Sequence, residues 1–196
     1  MAIGERYDGI LKGAVDVIAR RGFHQASIRE IARAAGLSLA GLYHYVGGKD
    51  ELLFMVLDRS LDRLIASLDA ALVEARNPEG RLLALLQTHL GFGFHHAQAL
   101  KIINRDYDLL PEPQRSEIAT KRQSYLLRGL GVLRELDPYG RSGDELLSAT
   151  NLLLGMLNGI ATRQSCWAPQ AALALGSPLP VGGTFQKPVQ EQCPDL

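Results

Sequence analysis

The sequence predicts an all-α protein in which a small N-terminal helix-turn-helix domain precedes a larger helical domain. Apolar residues recur at helical spacing in almost every segment before the C-terminal tail, and no segment shows the convincing alternation of a strand. Residues 27–45 contain two short helical patterns joined by a tight turn. In a helix-turn-helix, the second of two such helices enters the major groove of DNA.

Composition places the chain among globular proteins. It has 196 residues, of which 46% are hydrophobic and 21% charged, and its formal net charge is +0. That balance is unusual for a DNA-binding protein, and acidic residues alternate with basic ones in the N-terminal region. We therefore expect a modest electrostatic attraction to DNA, with specific contacts supplying more of the affinity.

The first predicted helix covers residues 5–21 and ends at Gly22. Its inward positions share one helical face: Ile10, Leu11, Ala14, Val17 and Ile18. The helix-turn-helix follows. Ser27 and Glu30 match a capping box, and Gly36 is placed where a left-handed residue ends the first of the two helices.

The second helix of the motif begins after Ser38, a favoured N-cap residue. Leu42 and Tyr45 are predicted to face inward. Tyr43 and His44 are predicted to face outward, where their side chains can donate hydrogen bonds to phosphates. An ordinary helical hairpin in a core is the alternative, but the two caps and the outward polar pair together favour DNA binding.

The segment from about Arg6 to Leu53 resembles the DNA-binding domain of the TetR family of bacterial transcriptional regulators. The matching residues are Ile10, Leu11, Ala14, Gly22, Phe23, Ser27, Ile28, Ile31, Ala32, Ala35, Gly36, Ser38, Gly41, Leu42, Tyr43, Tyr45, Lys49, Leu52 and Leu53. One departure is Val46, where the family usually has Phe behind the recognition helix. The smaller side chain is expected to loosen that contact.

The resemblance implies the DNA contacts. Those to phosphates come from Ser27, Arg29, Ser38, Tyr43, His44 and Lys49. Ala40 and Gly41 approach base edges, and Leu39 touches a thymine methyl group. His44 and Lys49 could instead be plain surface residues.

The larger domain is predicted to begin with a long helix over residues 49–76, joined to the head by a flexible Gly47-Gly48 pair. Asn77 and Pro78 start the next helical region, which continues to residue 110 with a break near residues 96–98. Further helices are predicted over residues 114–136 and 142–166, the second with a Ser142–Glu145 capping box.

These patterns divide the chain into a DNA-binding domain (residues 1–48), a ligand-binding and dimerisation domain (49–167) and an irregular tail (168–196). Prolines and glycines break up the tail, where only a short helix over residues 168–175 is predicted. The family usually has a long final helix there that pairs across the dimer. The dimer could therefore use another surface, the tail could be irregular, or the reading frame could be altered.

The resemblance also implies a homodimer that reads a palindromic operator. The helix over residues 142–166 is the expected dimer surface, because it combines small residues that permit close approach with larger apolar ones. The candidate dimer residues are Ala149, Leu152, Gly155, Met156 and Gly159. The alternative is that this helix only belongs to the core.

Family members enclose an effector cavity in the larger domain. The candidate wall residues are Phe54, His89, Phe92, His95, Tyr107, Tyr125, Met156 and Asn158. A largely apolar wall suits a hydrophobic or amphipathic small molecule. Residues 154–158 are similar to a segment of family members that sense acyl-CoA thioesters, although Gly159 follows where those members usually have an aromatic residue. An acyl-CoA and an unrelated apolar ligand both remain open.

Other chemistries have less support in the sequence. His89, His95 and His96 lack the spacing of a helical metal site, so no metal and no cofactor are expected. Cys166 and Cys193 are interpreted as reduced thiols of a cytoplasmic protein, with a regulatory disulfide as the alternative. Neither a signal peptide nor a membrane-spanning run is predicted.

The sequence therefore predicts a ligand-responsive transcriptional regulator, a repressor that a hydrophobic or acyl-CoA-like molecule releases from its operator. A ligand-independent activator or an architectural DNA-binding protein is the alternative. A helical enzyme is less favoured, because no nucleophile–base pair, phosphate-binding loop or metal-ligand cluster is visible.

Overall fold

A computed structural model describes residues 3–162, with side chains from residue 6 onward. This part of the chain is all helical, as predicted, and contains no strand. Its α-helices are α1 (Ile3–Arg21), α2 (Ile28–Ala34), α3 (Leu39–Tyr43), α4 (Lys49–Glu74), α5 (Pro78–His95), α6 (Ala97–Arg105), α7 (Gln114–Leu136) and α8 (Gly143–Thr162). The predicted tail, both cysteines and the end of the last predicted helix lie outside the described residues.

The head consists of α1, α2 and α3, and α1 packs against α2. Gly13 makes this packing possible. A Cβ atom at Gly13 would lie 2.9 Å from the backbone nitrogen of Ala35, so only glycine lets the end of α2 approach α1 this closely. The sequence interpretation did not single out Gly13, because nothing in the local pattern shows which helix will cross there.

Local signals fix the ends of α2. The predicted capping box is present: Ser27 Oγ accepts a hydrogen bond from the Glu30 amide, and the Glu30 carboxylate accepts one from the Ser27 amide. At the other end, Gly36 has φ +68°. The Leu37 amide donates to the Ala32 carbonyl and the Gly36 amide to the Arg33 carbonyl, which is a complete Schellman motif.

The core runs without interruption from the head into the larger domain, called the body below (α4 to α8). Leu52, Leu53 and Val56 in the first turns of α4 are buried in the same cluster as Ile10 of α1 and Leu85 of α5. Helix α4 packs against α1, α5, α6 and α7. It therefore belongs to the head core at its N-terminal end and to the body along the rest of its length.

Val46, the departure from the family pattern, is 3% exposed and belongs to the core cluster. Gly48 has φ 173°, which is extended backbone that any residue adopts. A Cβ atom at Gly48 would meet no neighbour. The flexible joint predicted at Gly47 and Gly48 therefore has no steric requirement for glycine at its second position.

Ion pairs fasten α4 to α7 along the outside of the body. Lys121 of α7 contacts both Asp58 and Asp62 of α4. Two turns further along α7, Arg128 binds Asp69 of α4. Its Nε atom lies 2.5 Å from Asp69 Oδ1, and its Nη2 atom lies 2.8 Å from Asp69 Oδ2. Bidentate pairing fixes orientation as well as distance, so α4 and α7 are held as one unit.

Most of the predicted body elements are confirmed. The break between α5 and α6 falls at His96, and Ser142 and Glu145 form the expected capping box. One boundary was wrong: α6 ends at Arg105, and a separate 3-10 turn covers Tyr107–Leu109. Buried Asp106 lies between them and binds the Arg105 guanidinium through both carboxylate oxygens. None of the helices in the described residues is long and apolar enough to cross a membrane.

Candidate DNA-binding surface and body pocket

The outward face of α3 is built on a single buried anchor. Leu42 is 0% exposed and packs into the head core, while Ser38 caps the helix by accepting a hydrogen bond from the Gly41 amide at 3.0 Å. This arrangement turns Ala40 and Tyr43 outward, and Tyr43 is 49% exposed. Leu39 and Gly41 are half-buried at the edge of the same face.

Several donors on this side of the head are free. The side chains of Arg29, Tyr43 and His44 are exposed and have no hydrogen bond or ion pair to any residue that the structure describes. Each can donate to an oxygen atom, and the guanidinium of Arg29 carries a permanent positive charge. Exposed donors without an intramolecular role are what contacts to a phosphate backbone require.

The two capping serines differ in what they can offer. Ser27 Oγ already donates to Glu30, and the hydrogen bonds from Ser27 lower the pKa of the Glu30 carboxyl group. The negative charge of the Glu30 carboxylate would repel a phosphate group placed beside Ser27. Ser38 Oγ only accepts, from the Gly41 amide, so its own hydrogen can still be donated outward.

Lys49 is already oriented by the head. Its Nζ atom donates to the carbonyl oxygen of His24 at 3.0 Å and lies 4.5 Å from the centre of the Phe23 ring. A carbonyl oxygen and an aromatic face orient this ammonium group, and no carboxylate among the described residues pairs with it. The predicted phosphate contact of Lys49 therefore starts from a fixed position.

The body contains a pocket of about 420 Å³ between α4, α5, α6, α7 and α8. Its apolar wall includes Leu61, Leu64, Leu100 and Leu154. This volume lies within the range of sites for small molecules. No single stretch of the sequence marks the pocket, because five helices contribute to it.

A chain of polar groups crosses this pocket. Tyr125 Oη lies 3.0 Å from His89 Nδ1, and His89 Nε2 lies 3.2 Å from Asn158 Oδ1, which also accepts from Asn104 Nδ2 at 2.9 Å. Burial lowers the pKa of His89, with an opposing contribution from Asn158, and burial raises the pKa of Tyr125. Near neutral pH, the imidazole is uncharged, accepts from Tyr125 and donates to Asn158.

Four of the eight predicted ligand residues meet in this pocket: His89, Tyr107, Tyr125 and Asn158. Phe92 and His95 instead line a second cleft of about 570 Å³ between α1, α4 and the α5–α6 corner. Phe54 is half-buried against the core and lines neither space. Met156 is 52% exposed and does not line the pocket.

Asn104 and Arg122 were missed as pocket residues. Asn104 comes from α6, and Arg122 follows the ion-paired Lys121 on α7, where it looks like one more surface charge in the sequence. The second cleft has charges of both signs: Asp8, Asp16, Lys12, Arg59 and Arg63. Part of this charge is internally matched, because Arg63 lies 3.6 Å from Asp8.

The outer face of α8 is apolar and exposed. Leu152, Met156 and Ile160 are 65%, 52% and 47% exposed, and they lie at helical spacing along one stripe. Gly155 and Gly159 lie beside them, and a Cβ atom at either glycine would meet nothing. The opposite face, with Leu146, Thr150, Leu157 and Ala161, is buried, so within residues 3–162 one face of α8 belongs to the core and the other is exposed.

Two family descriptions match the chain. The N-terminal one, for bacterial regulatory proteins of the tetR family, covers residues 10–56, and a tetracyclin repressor-like C-terminal domain covers residues 75–162. Among curated proteins, the HTH-type transcriptional activator FasR of Mycolicibacterium smegmatis is 34% identical over 110 residues. That match covers 56% of this chain and 50% of FasR, so the chain spans about half the length of this relative.

Solved structures show the same fold. A TetR-family transcriptional regulator from Bordetella parapertussis superposes with a TM-score of 0.77 at 26% identity, covering 87% of this chain and 86% of that one. AibR, solved with isovaleryl coenzyme A and operator DNA, superposes with a TM-score of 0.71 at 24% identity, covering 80% of this chain and 85% of that one. At this identity, the similarity shows the fold alone. The two family domains together match more than half of the sequence, and the chain belongs to the TetR family of bacterial regulatory proteins.

Proposed function

We propose that this protein is a ligand-responsive transcriptional repressor. It binds a palindromic operator as a homodimer through α3, and a hydrophobic or acyl-CoA-like effector in the body pocket releases it. The observation that carries the proposal is the outward face of α3, where exposed Tyr43 and His44 have no intramolecular partner among the described residues. A short capped helix with such a face has a clear use when it lies in a DNA groove.

The contacts divide into two kinds. Arg29, Ser38, Tyr43, His44 and Lys49 supply donors for the phosphate backbone, which fixes the position of the head on the duplex. Ala40, Gly41 and Leu39 lie between those donors and are small or apolar, which suits close approach to base edges. Ser27 contributes least to this set, because its hydroxyl group is engaged with Glu30.

The proposed dimer uses the exposed stripe of α8. TetR-family regulators bind operator DNA as dimers. A two-fold dimer places two recognition helices about one DNA turn, roughly 34 Å, apart and so doubles the sequence that is read. Leu152, Met156 and Ile160 give the stripe its apolar area, and Gly155 and Gly159 leave room for a second helix.

The proposed effector site is the body pocket rather than the charged second cleft. Its leucine wall accommodates an apolar group, and the His89–Asn158 pair provides a polar end that fixes orientation. The same fold holds isovaleryl coenzyme A in AibR, which supports a short acyl thioester as one candidate.

A short path of contacts connects this pocket to the head. Asn104 at the pocket wall is hydrogen-bonded to Asn158, and the next residue, Arg105, donates from Nη2 to the Ile18 carbonyl of α1 at 3.3 Å. An effector that shifts α6 therefore acts on α1 directly. A differential affinity of about 1–3 kcal/mol between two head positions is enough for a useful switch.

A ligand-dependent activator is the second candidate. FasR, a relative over about half its length, is named as an activator, whereas the body resembles the domain of a repressor. The same DNA and effector contacts serve both roles. The sign of regulation then depends on where the operator lies relative to the promoter.

The test is fluorescence anisotropy of the wild type and Tyr43→Ala on DNA flanking the gene, at two salt concentrations. We expect salt-sensitive wild-type binding and about tenfold weaker binding by Tyr43→Ala, which loses an exposed phosphate contact. Tyr139→Ala is the matched control, because Tyr139 is 79% exposed in the body. A promoter reporter then distinguishes a repressor from an activator.

Equal binding by folded Tyr43→Ala would remove the α3 assignment. If neither protein binds the flanking DNA, selection from random duplexes decides between a distant operator and no DNA binding at all. Sequences recovered from that selection should be palindromic. An unrelated or absent consensus would contradict the proposed function.

A further inference from the structure

The body pocket and the groove beside it are lined by cationic side chains and, among the described residues, by no carboxylate. An open groove, lined by Lys101, Arg105 and Thr162, shares Asn104 and Asn158 with the pocket. Arg122 is the charged residue of the pocket itself. Across residues 3–162, no Asp or Glu lines either space. In a chain with net charge +0, this is a marked local imbalance of charge.

Arg122 differs from the other half-buried cations of the body. Lys121, its neighbour in sequence, is bound by two aspartates, and Arg128 is bound by Asp69. The guanidinium of Arg122 instead stacks on the Tyr107 ring, 4.2 Å from its centre, and donates from Nη1 to the Ile103 carbonyl at 2.7 Å. Within the described part of the chain, it has no carboxylate partner.

This arrangement leaves a charge partly removed from water without a counterion. A guanidinium has five N–H donors, and a single backbone carbonyl uses one of them. The contact with Tyr107 holds the planar group in place, so its free edge is pre-oriented for a second partner. A bound anion would restore the charge balance and form charge-assisted hydrogen bonds, which are stronger than neutral ones.

We propose that the effector is an amphipathic anion, with its carboxylate or phosphate on Arg122 and its apolar part against the leucine wall. Lys101 in the adjoining groove adds favourable potential, whereas Arg105 is neutralised by Asp106. Neutral His89 and Asn158 face the remainder of the molecule. This inference rests on the proposed effector role of the pocket, and it excludes neutral and cationic amphiphiles of the same size.

The test uses four probes with one chain length and different head groups: octanoate, octyl phosphate, octanamide and octylamine. Binding is measured by calorimetry and by the thermal midpoint of unfolding, both without DNA. We expect octanoate or octyl phosphate to bind at least about tenfold more tightly than octanamide, and octylamine not to bind. The first two probes distinguish a carboxylate from a phosphate preference.

Arg122→Met retains an unbranched apolar stem, and we expect it to lose the preference for the anion. Arg122→Lys keeps the positive charge and should retain part of the preference for the anion. Arg134→Met is the matched control on the same helix, exposed and away from the pocket. Circular dichroism and the thermal midpoint of unfolding without any probe establish that each variant is folded.

Equal affinity for octanoate and octanamide would overturn the proposal, as would unchanged anion affinity in Arg122→Met. Absence of binding by all four probes would also overturn it. These outcomes are separate from failure of the proposed function. A protein that binds octanoate but never binds an operator would keep the anion site and lose its regulatory role.

Discussion

The two proposed sites, on the head and in the body pocket, differ in how the chain forms them. In the head, the proposed DNA contacts fall within one short stretch, from Ser27 to Lys49, and the side chains that matter are exposed. In the pocket, the polar chain joins His89 of α5, Asn104 of α6, Tyr125 of α7 and Asn158 of α8. The proposed DNA-binding surface comes from one short segment of the sequence, whereas the pocket forms only when several helices pack together.

This difference predicts which substitutions affect binding alone and which also affect stability. We expect a change on the α3 surface to alter the proposed DNA contacts and to leave the fold intact, because these exposed side chains have no hydrogen bond or ion pair to other described residues. A change in the pocket alters packing and hydrogen bonding together, since His89 is 3% exposed and is bonded on both ring nitrogens. The four predictions below test this separation.

The largest expected effect is an exception to this separation, because a substitution in α8 of the body is expected to weaken operator binding by the head. Replacing Gly155 or Gly159 by Leu should produce a folded monomer, since a Cβ atom at either position meets no neighbour among the described residues, whereas the leucine side chain would occupy the space of a partner helix. Operator affinity should then fall about a hundredfold, or ~2.7 kcal/mol, because one half-site remains. Sedimentation measures the association state.

Gly131→Leu is the control for this prediction, because Gly131 is an exposed glycine of α7 that also has no neighbour within contact distance. It should remain a dimer. A dimer that survives both α8 substitutions would indicate an interface elsewhere.

The second prediction concerns the inside of the head. Gly13→Ala should lower the free energy of unfolding by about 1–3 kcal/mol, because its methyl group collides with the backbone of α2. Gly9→Ala lies one turn earlier with no neighbour near its Cβ position, so it should be neutral or slightly stabilising. Urea denaturation compares the two, and equal stability would contradict the close approach of α1 and α2.

The third prediction sharpens the surface role of the head. Arg29→Gln should weaken operator binding about tenfold and reduce the slope of log affinity against log salt by roughly one, as expected for one lost phosphate contact. Arg76→Gln, exposed just beyond α4, should change neither quantity. An unchanged salt slope in Arg29→Gln would remove Arg29 from the interface.

The smallest effect tests the buried histidine. Because burial lowers the pKa of His89, the unfolded chain binds more protons below its unfolded value of about 6.5. The stability that His89 retains at higher pH is therefore lost as the pH falls through this value, by at most about 1.4 kcal/mol per pH unit. His96 has a lowered pKa as well and contributes in the same direction.

His89→Gln should flatten this dependence, measured as the free energy of unfolding from neutral to mildly acidic pH. His24→Gln, on the exposed surface of the head, is the matched control for the substitution itself. A wild-type slope in His89→Gln would show that the imidazole does not resist protonation.

Much of the fold could be predicted from the sequence, because helix boundaries depend on neighbouring residues. Ser27, Gly36 and Ser142 mark helix ends through bonds that reach only a few positions along the chain. The missed boundary at Arg105 is instructive. Apolar spacing continues past it, but the chain turns at Asp106, whose buried carboxylate is satisfied by Arg105.

The residues of the pocket were predicted only in part, because they depend on how the helices pack rather than on neighbouring residues. Aromatic residues and histidines could be recognised as candidates, but their direction depends on helix rotation in the packed body. His95 and Phe92 consequently lie in the second cleft and Met156 on the outer stripe. Arg122 could not be distinguished from Lys121 by its sequence neighbours, although one lines the pocket and the other pairs with α4.

By itself, the sequence determined the helical class, the helix-turn-helix and the set of residues that its second helix exposes. These properties follow from periodicity and capping, which act over one or two turns. The tertiary structure decided the need for glycine at position 13, the joint core of head and body, and the position of the Arg122 guanidinium in the pocket without a carboxylate partner among the described residues. Each of these depends on which distant helix lies opposite, and only packing of the whole chain fixes that.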